Sequence, residues 1–274
     1  MPMIRANHCD FHYLDSGKGP TIVFLHGETH SVELFPAQIA EFEKSYRCIA
    51  YDRRGHAKSQ VAPYGYSVWN QAHDLRCILD ALGLEQVILV AVAMSTTIAV
   101  TFALQNPDRL RALVLSSWYE LDGFPVLEER RRRHAMSFVD LHLLMYEVML
   151  RKGRSGLEAY LFENYERLMP IFPTDNEPLL RRLIEIFACH EPPHYLQTGE
   201  FYTSIPQLTP RLREVRCPVL GLCGDADPSP DNPALMAGMA NFSQQWIPGA
   251  RRFSMMEKPQ EYNRVLGGFL DSLK

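Results

Sequence analysis

The sequence predicts an α/β protein: a mostly parallel central sheet with helices on both faces and a helical insertion late in the chain. Three observations predict it. Short, nearly continuous apolar runs recur along the chain, amphipathic stretches of helical period separate them, and one long stretch is helical in pattern with no strand. Strands buried on both faces read as unbroken apolar runs, and such strands joined by helices indicate a parallel sheet.

The elements follow in order. Thr21 to Leu25 is the first buried strand, ending at His26-Gly27. Arg47 to Tyr51 is the second, closed by Asp52; Val87 to Val92 is the third and Ala112 to Leu115 the fourth. The strand pattern returns at Pro218 to Cys223 and again at Gln244 to Ile247. Between them, Val68, Ala72, Leu75, Ile78, Leu79 and Leu82 recur at helical spacing, with Gly83 as a stop. A second helix is expected from about Met94 to Gln105, ended by Asn106-Pro107, and a last one from about Gln260 to Leu273.

Residues 120–212 carry helical patterns rich in charges and aromatics, among them Tyr160, Phe187 and Tyr202. The expected organisation is therefore a core of residues 1–119 and 213–274 with a helical cap of residues 120–212. Within the cap, Glu128-Glu129 runs into Arg130 to Arg133. That run reads either as a solvated helix face with i,i+4 pairs or as a patch for an anionic ligand.

Composition narrows the function classes. A formal net charge of -4 and a pI near 6.2 give no reason to expect nucleic acid as a partner. No window has the apolar length of a membrane span. The first eight residues lack the basic-then-apolar order of a signal peptide. Six cysteines without a C-x-x-C pair read as small core hydrophobes in a reducing, cytoplasmic setting. The stretch Cys189-His190-Glu191-Pro192-Pro193-His194 holds ligand-type residues, but its prolines deny a helical i,i+4 geometry, so no metal is expected. No dinucleotide fingerprint or phosphate loop follows a strand, so no cofactor is expected either. The expected partner is a small hydrophobic molecule, with a homodimer as the one protein association entertained.

Six motifs carry a resemblance. They are Phe24-Leu25-His26-Gly27, Asp52-Arg53-Arg54-Gly55-His56-Ala57-Lys58-Ser59, Leu89 to Thr96, Asn106 to Leu115, Pro218 to Asp227, and Ile247 to Phe253 with Glu257-Lys258-Pro259 after it. In that order the chain resembles the capped, small bacterial-type members of the α/β-hydrolase fold, over about everything but the cap.

The resemblance implies a G-x-S-x-G turn with a nucleophilic serine whose backbone N–H helps form the oxyanion hole. Here the five positions read Ala91-Val92-Ala93-Met94-Ser95, so Ala93 stands where the nucleophile belongs. A methyl group cannot attack a carbonyl. Asp227 occupies the position of the triad acid, and Arg252 that of the histidine, in Gly249-Ala250-Arg251-Arg252-Phe253. Arginine stays protonated near neutrality and cannot be the general base, so a bidentate pair with Asp227 is expected.

The other candidates lie around this turn. Glu28, in the loop His26-Gly27-Glu28-Thr29-His30, reads as a solvent-facing loop residue, a second carboxylate for Arg252, or a base with a raised pKa. His30 resembles a pocket histidine of cofactor-free dioxygenases that share the fold; it is a structural residue or a proton carrier. Trp118 and Tyr119 are expected as pocket wall with Ala93 and Met94, and Ser117 or Glu120 stands where some relatives carry their acid. The leading expectation is a cofactor-independent, non-hydrolytic enzyme (lyase, cyclase, decarboxylase or oxygenase-like) acting on a hydrophobic, cyclic, anionic or enolic molecule. A silent small-molecule-binding pseudo-hydrolase, and a hydrolase with its nucleophile displaced to Ser95 or Thr96, are the alternatives.

Overall fold

The computed structural model describes residues 2–117, 121–122, 138–169, 171–173, 175–227 and 237–274. Eight strands form one sheet: β1 (Met3–Ala6), β2 (Cys9–Ser16), β3 (Thr21–Leu25), β4 (Arg47–Tyr51), β5 (Val87–Val92), β6 (Leu110–Ser116), β7 (Val219–Gly224) and β8 (Phe242–Ile247). Their order is β1-β2-β4-β3-β5-β6-β7-β8. The first two pairings are antiparallel and the other five parallel. β3 and β5 are buried along their whole length, as unbroken apolar runs require in a sheet covered on both faces.

The α-helices of the described residues are α1 (Pro36–Phe42), α2 (Val68–Ala81), α3 (Ser95–Gln105), α4 (Phe138–Leu168), α5 (Glu177–Phe187), α6 (His194–Thr203), α7 (Ser254–Glu257) and α8 (Pro259–Asp271). Two apolar clusters form the core, one on each face of the sheet. Phe24, Val90 and Val114 point into one, Val23, Leu89 and Leu113 into the other, as the period of two along a strand demands. α2 starts where the Ser67 hydroxyl accepts from the Asn70 N–H, an ordinary N-cap.

Each strand and helix expected from the sequence is present within two residues at either end. The amino-terminal hairpin β1–β2 and the short α1 were not anticipated. β2 mixes His12, Tyr13 and Asp15 with its apolar residues, so it lacks an apolar run. Its turn is Asn7-His8, both at positive φ (41° and 58°). That is the backbone of a two-residue hairpin turn without the glycine that usually announces it.

The helical insertion α4–α6 lies between β6 and β7 in the chain. Its ends meet: Leu208 N donates to Leu121 O at 2.8 Å and Thr209 N to the Asp122 carboxylate at 3.0 Å. Gly153, at φ 67°, splits α4 into two helical segments. α6 is tied to the start of α2, where Glu200 accepts from the Tyr66 and Ser67 N–H groups and the Ser204 hydroxyl accepts from Val68 N. These bonds bring the insertion's histidines over the loops that follow β3 and β4. The charged run 128–133 lies outside the described residues.

Candidate functional site

The site begins at the turn from β5 into α3. Ala93 sits there at φ 52°, a left-handed conformation that costs a residue with a Cβ about 1 kcal/mol or more. Its N–H donates to Ser116 O on the neighbouring strand at 2.9 Å, which holds the turn in place. The sharp turn therefore persists with an alanine at its tip. Ser95 and Thr96 follow it, both fully buried. The Ser95 hydroxyl donates to His26 O and the Thr96 hydroxyl to Ala93 O, so both are engaged with backbone, and neither lines the cavity.

The cavity above the turn has a free volume of about 40 Å³, room for a few water molecules as the side chains stand. The core side supplies Glu28, Thr29, His30, Ala93, Met94 and Arg252; the insertion supplies Leu141, His142, Met145, Met169, Ile171, Phe187 and Tyr202. Its wall is largely apolar with several methionines, side chains that adapt to irregular ligands. The expected wall residues Trp118 and Tyr119, and Glu120, lie outside the described residues.

Arg252 and Asp227 form the expected pair. Arg252 Nε donates to Asp227 Oδ2 at 2.6 Å and Nη2 to Oδ1 at 3.2 Å, with both side chains at most 4 % exposed. The Ser117 hydroxyl donates to Arg252 O at 2.7 Å, which fixes the backbone of that loop. Ser117 thus acts on Arg252's position and supplies no acid.

Glu28 is elsewhere than either sequence expectation put it. It is buried, not solvent-facing, and it faces Arg53 in place of Arg252: Arg53 Nη2 donates to Glu28 Oε2 at 3.0 Å. Nor is its pKa raised. Burial pushes the carboxyl up, but the Arg53 guanidinium, with His194 and His142, outweighs burial and holds it below its ordinary value. Gln71 shares Arg53 through two bonds of 2.9 and 2.6 Å.

Around Glu28 stand six buried histidines: His26, His30, His56, His142, His190 and His194. His26 bridges two loops, with Nδ1 against Gly27 O at 2.8 Å and Nε2 accepting from Arg53 N at 2.9 Å. One nitrogen donates and the other accepts, which describes a neutral ring; burial, then His56 and Arg53, hold its pKa well below the usual value. His142 Nε2 meets the Thr29 hydroxyl at 2.6 Å and so joins the insertion to the cavity loop.

His30 lies over the elbow. A Cβ added to Gly27 would meet His30 Nδ1 at 2.7 Å and the Ala93 methyl at 3.0 Å, so the imidazole, the methyl and the Gly27 backbone are packed together. His30 stacks edge-on against Phe187 and Phe253. Its Nδ1 is buried with no hydrogen-bond partner among the described residues. Burial, followed by His190, lowers its pKa to about 3. It is a neutral imidazole and a weak base near neutrality.

Sequence spacing does not mark Arg53 or His56 as site residues, and it sets His190 and His194 aside because the prolines between them deny one helix two ligands. The structure instead joins loops far apart in sequence, as Ala57 N donates to His190 Nδ1 at 2.9 Å and the His56 and His194 rings meet at 4.3 Å. The signal available was the unusual count of histidines in three separate motifs.

Comparison with known proteins agrees with this architecture. A family model described as the alpha/beta hydrolase fold matches residues 20–146. The chain is 28% identical over 279 residues to a Bacillus subtilis (strain 168) protein assigned as a 2-succinyl-6-hydroxy-2,4-cyclohexadiene-1-carboxylate synthase, covering 95% of each. It is 28% identical to a 2-hydroxy-6-oxononadienedioate/2-hydroxy-6-oxononatrienedioate hydrolase of Pseudomonas putida, covering 97% of this chain and 94% of that one. The solved structure of a thermophilic esterase from Thermogutta terrifontis superposes with a TM-score of 0.81 at 22% identity, over 99% of this chain and 98% of the other. With this sheet order, an elbow at Ala93 and a helical insertion over the cavity, the chain has the α/β-hydrolase fold.

Proposed function

We propose that this chain is a non-hydrolytic enzyme that stabilises an anion formed on a hydrophobic, cyclic small molecule. The observation that carries the proposal is the elbow itself, which keeps its left-handed turn under a cavity holding Arg252 while Ala93 supplies no nucleophile. The triad is degenerate in this reading: the acid remains as Asp227 and the base has become its salt-bridge partner.

The electrostatics narrow the reaction. His30 is too weak a base to take a proton near neutrality, and Glu28 is ionised but held by Arg53. A substrate that arrives already anionic needs no strong base. The step favoured is a lyase or decarboxylation: the bond to a departing carboxylate breaks, carbon dioxide leaves, and the electron pair moves to a ring carbonyl as an enolate. Arg252 and the elbow N–H of Met94 stabilise that oxygen, His30 offers a neutral hydrogen bond, and water returns the proton to carbon. Cyclisation or cofactor-free oxidation belongs to the same anionic class. The relative assigned as a cyclohexadiene-carboxylate synthase is named for a cyclic carboxylate product, which supports a ligand of that class here.

The test uses 2-oxocyclohexane-1-carboxylate as probe, followed by NMR, beside p-nitrophenyl butyrate. Accelerated loss of carbon dioxide, abolished in Arg252→Gln/Asp227→Asn with folding retained, supports the proposal. Butyrate hydrolysis without decarboxylation overturns it. The closure of Arg252 on Asp227 favours a second reading, a silent small-molecule-binding pseudo-hydrolase. That reading predicts saturable binding of the probe with no product.

A further inference from the structure

We infer that Glu28, His56 and His194 form a binding site for one divalent transition-metal ion of the zinc class. Each residue is buried, and one ligand atom from each lies within 4.8 Å of the other two. Glu28 Oε1 is 3.2 Å from His56 Nε2 and 3.9 Å from His194 Nε2. Ligands held at zinc bond lengths in a tetrahedron stand about 3.3 Å apart. These two separations bracket that edge, so small side-chain shifts close the triangle around an ion.

The proton inventory argues for a cation. His56 Nδ1 lies 2.9 Å from Arg54 O, and a carbonyl can only accept, so Nδ1 carries the hydrogen. In the neutral ring Nε2 is then a lone pair, aimed at a carboxylate oxygen 3.2 Å away with no hydrogen-bond geometry between them. Two acceptors face each other in a buried place. A metal ion resolves that repulsion, and a backbone carbonyl on the far nitrogen is the usual outer support of a metal-binding imidazole. His194 leaves both ring nitrogens buried with no hydrogen-bond partner among the described residues. Glu28 divides its oxygens: Oε2 keeps Arg53, and Oε1 is left for the ion.

Two imidazoles and one carboxylate select borderline transition metals over calcium or magnesium, which take oxygen ligands. Three protein ligands leave a fourth position open, and Glu28 places the ion at the cavity wall. His190 stacks 4.2 Å from His194 but is not a ligand, because its Nδ1 accepts from Ala57 N. The inference is independent of the reaction proposed above, since binding is read with no substrate present.

The experiment titrates chelator-stripped protein with cobalt and with zinc. The expected result is a visible cobalt d–d spectrum of low coordination number, about one ion retained per chain after gel filtration, and a raised melting temperature. Glu28→Gln, His56→Gln and His194→Gln each weaken binding by about a hundredfold or more, since even outer-shell changes cost about 10–100-fold. His190→Gln binds like the parent. Absence of the cobalt spectrum in the unsubstituted protein overturns the inference without recourse to any variant. Equal loss in His190→Gln and His194→Gln, with both folded, overturns the ligand set.

Discussion

The cavity has two buried charged centres, and they are built on opposite terms. At Arg252–Asp227 two short bonds join one guanidinium to one carboxylate. At Glu28–Arg53 the carboxylate is shared, Gln71 competes for the arginine, and imidazole nitrogens of His56 and His194 have no hydrogen-bond partner among the described residues. Buried polar groups are nearly always satisfied within the fold, so the difference separates a self-sufficient pair from a centre built to receive something. The first centre positions a cation at the elbow. The second is the part of the protein that ligand or metal would complete.

The largest expected effect breaks the first centre. Arg252→Met takes the guanidinium away from the buried Asp227 carboxylate and is expected to cost about 3–5 kcal/mol in urea unfolding. Arg252→Met/Asp227→Leu should recover most of that loss. If the single variant is as stable as the double, the two residues are not energetically paired. Glu28→Gln should cost less, about 1–3 kcal/mol, because Arg53 keeps Gln71 as a partner. A loss as large as that at Arg252 would erase the contrast.

Acid titration sharpens it further. In the chelator-treated protein, burial lowers His30 to about 3 and His190 to about 4, while in the unfolded chain each titrates near its ordinary value of 6.5. The unfolded state therefore binds protons first as pH falls. The stability these groups contribute is present above about pH 6.5 and is lost progressively down to about pH 4 for His190 and about pH 3 for His30. Denaturant unfolding at pH 7 and pH 5 should show that fall, shallower in His190→Gln and no steeper in Arg252→Met/Asp227→Leu, which removes a charge that lowers the His30 pKa. A steeper fall in the double variant would contradict the assignment. The smallest effect is at the tip of the elbow: Ala93→Gly relieves a left-handed φ and should change stability by about 1 kcal/mol or less, in the stabilising direction. A clear loss would mean that the methyl packs usefully over Gly27.

The fold was legible because its strands are apolar runs and its helices carry period and stop residues, as Val87–Val92 and Gly83 illustrate. The Asn7-His8 hairpin was not, since a left-handed turn without glycine leaves no local mark. At the site, the Arg252–Asp227 pair could be read because the motif order places both residues. The setting of Glu28 could not, because its partners come from the β4–α2 loop and from the insertion, and only docking by contacts such as Ala57 with His190 brings them together. Its pKa then follows Arg53, which no spacing in the sequence connects to it.

Ala93 gives the elbow no nucleophile, and we propose that the neighbouring hydroxyls do not replace it. Intact-mass measurement after treatment with a fluorophosphonate tests this most directly. An unchanged mass is expected, because Ser95 and Thr96 are buried and bonded to His26 O and Ala93 O. A stoichiometric adduct mapped to either residue would contradict it.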